Sequence, residues 1–189
     1  WPMEAMKQRL VRHSDLDWRS DALLDAAALA GGAQMAPVIG LGMSESRSHS
    51  APIHNAHGFS IEWLRIPARG SVSAHALSEK QVLSVYQGSL AIHVSQEMKT
   101  TAQMMASDPL CVAHGHADAW DSFAMPADVW RCLRNVGDIP ATVLVMTPGD
   151  ARKRIHWSSE VIDAAGRAGY SMDANGYVAL KRFTDRSQR

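Results

Sequence analysis

His75 and Gln81 share a parity in the stretch from Gly70 to Gly88, GSVSAHALSEKQVLSVYQG. Side chains of an extended chain alternate between faces, so residues 75, 77 and 81 look the same way if the stretch is a strand. An imidazole and an amide on one face can hold a ligand by hydrogen bonds, donate to a metal or take part in acid–base chemistry. Leu77, between them, can do none of these. Glu79 has the same parity but falls in a polar turn, which leaves its direction open. A later stretch, Ala124 to Asp138, reads AMPADVWRCLRNVGD. It opens at Pro126, runs extended through Val129, Trp130, Arg131, Cys132 and Leu133, and stops at Asn135 with Gly137 and Asp138 as turn residues. Residues 129, 131 and 133 share a face there, so Arg131 looks the same way as Val129 and Leu133.

Other histidines form weaker patterns. His114-Gly115-His116 puts two imidazoles on one face if extended, with Asp118 or Asp121 as candidate third ligands. The competing reading is a turn stabilised by Gly115. His49, His54 and His57 lie in SESRSHSAPIHNAHG, Ser44 to Gly58, a Ser/His/Pro/Asn-rich segment that reads as a polar surface loop rather than a metal tract or lid.

The two main stretches resemble the two sequence motifs of the cupin superfamily, over about Phe59 to Met146. Cupins are small jelly-roll barrels in which a Gly, an H-x-H pair and a Glu in the first motif, with a third His in the second, usually hold a divalent metal. Carried over by position, His75 falls on the first His, Leu77 on the second, Gln81 on the Glu and Gly88 on the closing Gly. In the second motif Pro126 falls on the Pro, Asp128 on the Gly, Arg131 on the His and Asn135 on the Asn. The resemblance implies an all-β cupin jelly-roll barrel that keeps the frame and has lost most of the ligand set.

Arg131 decides the chemistry of that set. A guanidinium is always charged and has no lone pair to give. Two like unit charges about 4 Å apart repel by roughly 4 kcal/mol at an effective dielectric of about 20, and a dication would meet about twice that. Gln81 also lacks the negative charge that offsets a dication. No metal and no other cofactor is therefore expected there. His75, Gln81 and Arg131 are read instead as the binding set for a small molecule, with Arg131 pairing a carboxylate or phosphate. The alternative is a metal-dependent enzyme, a dioxygenase, lyase or isomerase. Its iron, manganese, nickel or zinc would sit in a displaced set built from His75, Glu79 and Gln81, or from His114 and His116. A third reading has Arg131 ion-paired to Asp121, Asp128 or Glu62 in a filled barrel.

Composition narrows the partners. The chain has 189 residues, 46% hydrophobic and 20% charged, enough for one buried domain with extensions. Zero formal net charge argues against nucleic acid and anionic membrane as partners. The apolar stretch from Ala22 to Met43 is interrupted by Asp25, Gln34, Pro37 and glycines and is no membrane span. Two cysteines, Cys111 and Cys132, read as reduced thiols of a cytoplasmic protein. A homodimer, or a role as a dimerisation module, is expected.

The organisation that follows is a helical N-terminal extension over 1–43, the barrel over 44–150, and a C-terminal helix and tail over 151–189. Helices are predicted after Pro2, from Ser20 through DALLDAAALA, and from Glu160 to about Ala168. Strands are predicted at Phe59–Ile66, Ser71–His75, Gln81–Gln87, Leu90–Ser95, Leu110–Ala113 and Ala141–Thr147, with 70–88 forming a hairpin. His93 should face away from the apolar side. Tyr177–Phe183 reads as an edge strand, and the final TDRSQR as disordered.

Overall fold

The structure, a computed structural model, describes residues 2–29, 32–55, 57–116 and 119–181, without the side chain at position 119. Expectations for the last eight residues lie outside the described residues.

Period-two alternation builds two antiparallel sheets. In the first, β1 (Gln34–Ile39) pairs with β2 (Phe59–Ile66). Along β2, Ser60, Glu62, Leu64 and Ile66 are buried while Phe59, Ile61, Trp63 and Arg65 are not. In the second, β3 (Ser71–Ala76) carries His75 and ends at the corner before β4 (Gln81–Ser95). The strands β5 (Cys111–His116), β6 (Ala119–Trp120), β7 (Ser122–Met125), β8 (Trp130–Asn135), β9 (Ala141–Pro148) and β10 (His156–Trp157) complete them. The path is β1-β2-β9-β4-β8-β3-β10, with β7 on the first half of β4 and β5 on the second.

β4 is the element shared by both sheets. Its first half pairs with β9 and β7, its second with β5 and β8. The bend comes at a register shift between Val85 and Gln87, followed by Gly88 at φ 89. A Cβ there would stand 2.9 Å from the Ala141 backbone, so both the left-handed conformation and the close approach call for glycine.

The 70–88 stretch is not a hairpin, because β3 pairs with β8 and β10, never with β4. The polar turn carries the chain from one sheet to the other. Alternation shows that each segment is extended but not which strand it joins. Between the sheets, Leu64, Ile66, Leu83, Val85, Leu90, Ile92 and Leu133 form the core.

The sheet starts at Gln34, inside the stretch read as a helical extension. Pro37 is tolerated because β1 is an edge strand, irregular between Pro37 and Ile39. The helix expected after Ser20 shrinks to α2 (Leu24–Ala28), with α1 (Met3–Lys7) before it. Thr100 caps α3 (Thr101–Met105), whose Met104 joins Ala74 and Cys132 in a small core outside the barrel. His93, opposite Cys132 in register, is on this outer side, as its alternation implied, but it is buried. α4 (Ser159–Arg167) lies by α2 and by the hairpin of β11 (Tyr170–Met172) and β12 (Val178–Leu180). Cys111 and Cys132 are free thiols on strands flanking β4, about 10 Å apart by strand spacing and too far to bridge. Among the described residues no helix is long and apolar enough to cross a membrane.

A strap without regular structure, residues 41–46, nonetheless buries Met43, Ser44 and Glu45. Two carboxyl groups hold it. Glu62 accepts from Met43 N at 3.2 Å; Glu45 accepts from Leu24 N at 2.7 Å and from Trp157 Nε1 at 3.0 Å. At Gly42 (φ 53) a Cβ would fall 1.1 Å from Glu62 Oε2, so only glycine lets the carboxyl in. Burial raises both carboxyls to about 8.

Their folded pKa exceeds the ordinary 4.5, so the folded state keeps its protons longer and stability falls as pH rises from about 4.5 to about 8. His49, His75 and His93, held down mainly by burial, act in the opposite sense below 6.5. The Glu62 effect is therefore read as a difference: Glu62→Gln gains stability over wild type progressively between those limits in urea unfolding, and a pH-independent difference would contradict it. Asn135 ties three carbonyls, Ile66 O, Pro67 O and Ile139 O, at 3.1, 2.9 and 2.7 Å. Asn135→Ala is expected to cost about 2–3 kcal/mol in the same assay by stranding them; a cost below about 0.5 kcal/mol would show the clamp to be dispensable.

Candidate functional site

β3 and β8 set His75 directly opposite Arg131, and the corner after β3 returns the chain so that Gln81 begins β4 beside them. The three residues singled out in the sequence thus meet inside the barrel. Arg131 is 0% exposed, His75 1% and Gln81 3%. Leu77 is buried in the apolar core next to them. Asp128, on the motif's Gly, has φ 57, the left-handed backbone a glycine would adopt freely, and its N–H donates to Leu77 O at 2.8 Å.

Among the described residues the guanidinium is bonded to neutral oxygens alone. Nη1 donates to Gln81 Oε1 at 2.9 Å, Nε to Val129 O at 3.2 Å and Nη2 to Pro126 O at 3.4 Å. Gln81 Nε2 passes the chain on to Thr147 Oγ1 at 3.1 Å and faces Met43 Sδ at 3.8 Å. Among the described residues no carboxylate pairs with Arg131 within 4.0 Å. Asp128 and Glu79 act on it only at longer range. The ion pair to Asp121, Asp128 or Glu62 does not form: Asp121 takes the His114 N–H instead, and Glu62 the Met43 N–H. Burial lowers the guanidinium to about 10, which still leaves it charged at neutral pH.

His75 is the neutral member. Its Nδ1 faces Ser73 O at 2.7 Å, so Nδ1 carries the hydrogen and Nε2 the lone pair. Desolvation, and then the Arg131 charge, hold the imidazole down to about 3. The Trp157 ring packs on it with centroids 5.5 Å apart.

This set does not fit the divalent metal that the motifs imply. Leu77 and Arg131 stand where two imidazoles would be, and the Gln81 oxygen is engaged by the guanidinium. Among the described residues no three His, Cys, Asp or Glu side chains come together as metal ligands. His114 and His116 share an exposed face of β5, with His114 Nδ1 3.0 Å from Ser89 Oγ; Asp118 lies outside the described residues. His49 is buried between Ser44 Oγ and Asp17 O, not on a surface loop.

Thr147, Met43 and Trp157 were missed from the sequence. Thr147 was legible in principle, as an inward position ending the apolar run ATVLVMT; nothing local marks Met43 or Trp157. A hollow of about 430 Å³ lies beside the site, lined by Lys80, Gln81, Val82, Ala124, Met125, Pro126, Met146 and Pro148. It shares Gln81 and Pro126 with the Arg131 shell. A larger hollow, about 600 Å³ between α4 and β11, shares no residue with it.

No protein-family model matches the chain, and no curated protein does. Solved structures do resemble it. An oxalate oxidase in complex with glycolate is 15% identical over 68% of this chain, with a TM-score of 0.46; the match covers 56% of that chain, less than two thirds of its length. The polyketide cyclase RemF from Streptomyces resistomycificus is 11% identical over 78% of this chain and 82% of its own, with a TM-score of 0.48. The Cnp3 cupin domain of Schizosaccharomyces pombe is 10% identical over 75% and 74%, with a TM-score of 0.44. At these identities and TM-scores the likeness carries no argument for this chain. By its own strand order, by the bent strand common to both sheets, and by the meeting of its two motifs inside the roll, the chain is a cupin-fold protein.

Proposed function

We propose that this protein binds a small anion, a carboxylate or phosphate, at Arg131, and that it does so without a metal. The observation that supports this reading is a guanidinium at 0% exposure whose hydrogen bonds, among the described residues, all go to uncharged oxygens. Burying a charge costs several kcal/mol, and neutral acceptors return only part of that. An anion about 4 Å away returns roughly 4 kcal/mol at an effective dielectric of about 20. The planar fork suits a carboxylate held by two parallel bonds. Nη1 and Nη2 both point to residues that line the 430 Å³ hollow, so swinging Gln81 aside opens a route one side chain long. Lys80 at the rim adds a second cation on that route.

Binding fits better than acid–base catalysis. A general base works best near the ambient pH, and His75 is held far below it. Its Nε2 lone pair serves instead as an acceptor for a hydroxyl or amide hydrogen of the ligand.

Titration calorimetry with acetate, formate and inorganic phosphate tests the proposal. Wild type is expected to bind at least one of them, and Arg131→Met to lose about 100-fold or more, equivalent to about 2.7 kcal/mol. Gln81→Glu guards against a variant that merely misfolds. It places a carboxylate within reach of the guanidinium, so it should raise the melting temperature and abolish anion binding together. Binding that survives Gln81→Glu, or wild type that takes up none of the anions, would defeat the proposal, as would stoichiometric iron, manganese, nickel or zinc in the purified protein.

The pH profile is a separate check. Arg131 stays charged up to about 10 and His75 neutral above about 3. Acetate affinity should therefore be level from pH 6 to about 9, weakening only as the guanidinium deprotonates above that. A break near 6.5, with affinity rising as pH falls, would mean that His75 titrates and supplies the charge.

A further inference from the structure

A second group of buried donors lies on the outer side of the second sheet, where α3 covers it. Cys132 on β8 and His93 on β4 are directly opposite in register and face this side together. Cys132 is 0% exposed and His93 4%. Met104 of α3, also buried, packs with Cys132 and Ala74, and the half-buried Met105 packs on that cluster. Burial lowers the His93 imidazole below its ordinary range, against the pull of acceptors on the Met104 and Ser107 backbone. The hydrogen those acceptors take is assigned to Nε2, because Nδ1 has no partner among the described residues. Nδ1 therefore keeps a lone pair with nothing to bond, and it does so beside a thiol and a thioether. A buried acceptor left unpaired is uncommon in a folded protein and calls for a partner.

We infer that Cys132, His93 and Met104 form a binding site for one soft monovalent cation, Cu(I). Opposite residues of an antiparallel pair have Cβ atoms about 5 Å apart, which lets a thiolate sulfur and an imidazole nitrogen share an ion about 2.0–2.3 Å from each. A thiolate with a thioether selects Cu(I), whereas magnesium or calcium would want carboxylates and carbonyls. Charge selects the same ion. One thiolate cancels one positive charge, so Cu(I) leaves the buried site neutral and a divalent ion leaves it cationic. Binding forms a bond from Sγ to copper as the Cys132 thiol proton leaves for solvent; copper enters and stays as Cu(I), so no electrons move. Without the ion the thiol is inert, since burial raises it to about 12. The connection that carries Met104 also offers thioethers nearer the surface: Met98, Met104 and Met105 all fall between Gln96 and Asp108, and Met98 is 54% exposed. The site is separate from Arg131, because consecutive residues of β8 face opposite sides of the sheet.

Anaerobic titration with Cu(I) against a chromogenic Cu(I) chelator tests the site. Wild type is expected to withhold one equivalent from the chelator, with X-ray absorption showing both sulfur and imidazole nitrogen around the copper. Cys132→Ala should lose that equivalent. Met104→Leu, which nearly keeps the core volume, should weaken it at least about tenfold with the thermal melt little changed, and so serves if Cys132→Ala melts early. His93→Phe should strip the nitrogen from the absorption spectrum. Cys111→Ser removes the other free thiol and should leave binding intact. Wild type that withholds no copper, an equivalent lost to Cys111→Ser or kept by folded Cys132→Ala, full affinity in Met104→Leu, or a nitrogen signal that survives His93→Phe would overturn the inference.

Discussion

One hydrogen bond, Arg131 Nη1 to Gln81 Oε1 at 2.9 Å, joins the two sheets across the inside of the barrel. Arg131 sits on β8 in one sheet and Gln81 on the first half of β4 in the other; Gln81 then reaches Thr147 on β9. A bond to a charged donor is worth roughly 1.5–3 kcal/mol net, less than the desolvation of a fully buried guanidinium. The charge is therefore held by geometry without being neutralised. The apolar contacts around Leu77, Leu83, Val85 and Leu133 have to carry that deficit.

The other buried ionisable groups follow the same pattern. Glu45, Glu62 and Asp25 are each 2% exposed or less, and each spends its carboxyl on a backbone N–H of a different segment: Leu24, Met43 and Ser73. Burial raises all three pKa values, which favours the neutral acid. Neutral carboxyls do not recruit the guanidinium, and Glu62 faces Gly42 and Met43 instead. These three carboxyls fasten the strap and α2 to the barrel. Met43 on that strap faces Gln81, which accepts the hydrogen bond from Arg131.

Much of this was legible in the sequence. The bounds of Phe59–Ile66 follow from its sequence but its inward face does not, since Ser60 and Glu62 are buried while Phe59, Ile61 and Trp63 are less so. The resemblance of the two motifs implied that His75, Gln81 and Arg131 face the barrel interior, where the structure brings them together. What escaped was long-range. Gln34–Ile39 has little strand character of its own and becomes a strand because β2 offers it an edge. The 70–88 hairpin failed because alternation fixes a face but not a partner. The buried state of Glu45 and His49 was hidden by a loop-like composition, since partners more than 30 residues away, Trp157 and Asp17, decide it. Trp157 reaches His75 from the far end of the chain for the same reason.

Bromide is a small monoanion that can be located in a crystal by its anomalous scattering, and it tests the central claim without reference to any particular ligand. The account predicts a bromide peak within about 4 Å of the Arg131 guanidinium, on the side of Gln81 and Pro126, as a charge-assisted contact requires. A guanidinium already paired to a side-chain carboxylate, or a bromide-free barrel with position 131 turned out to solvent, would contradict it.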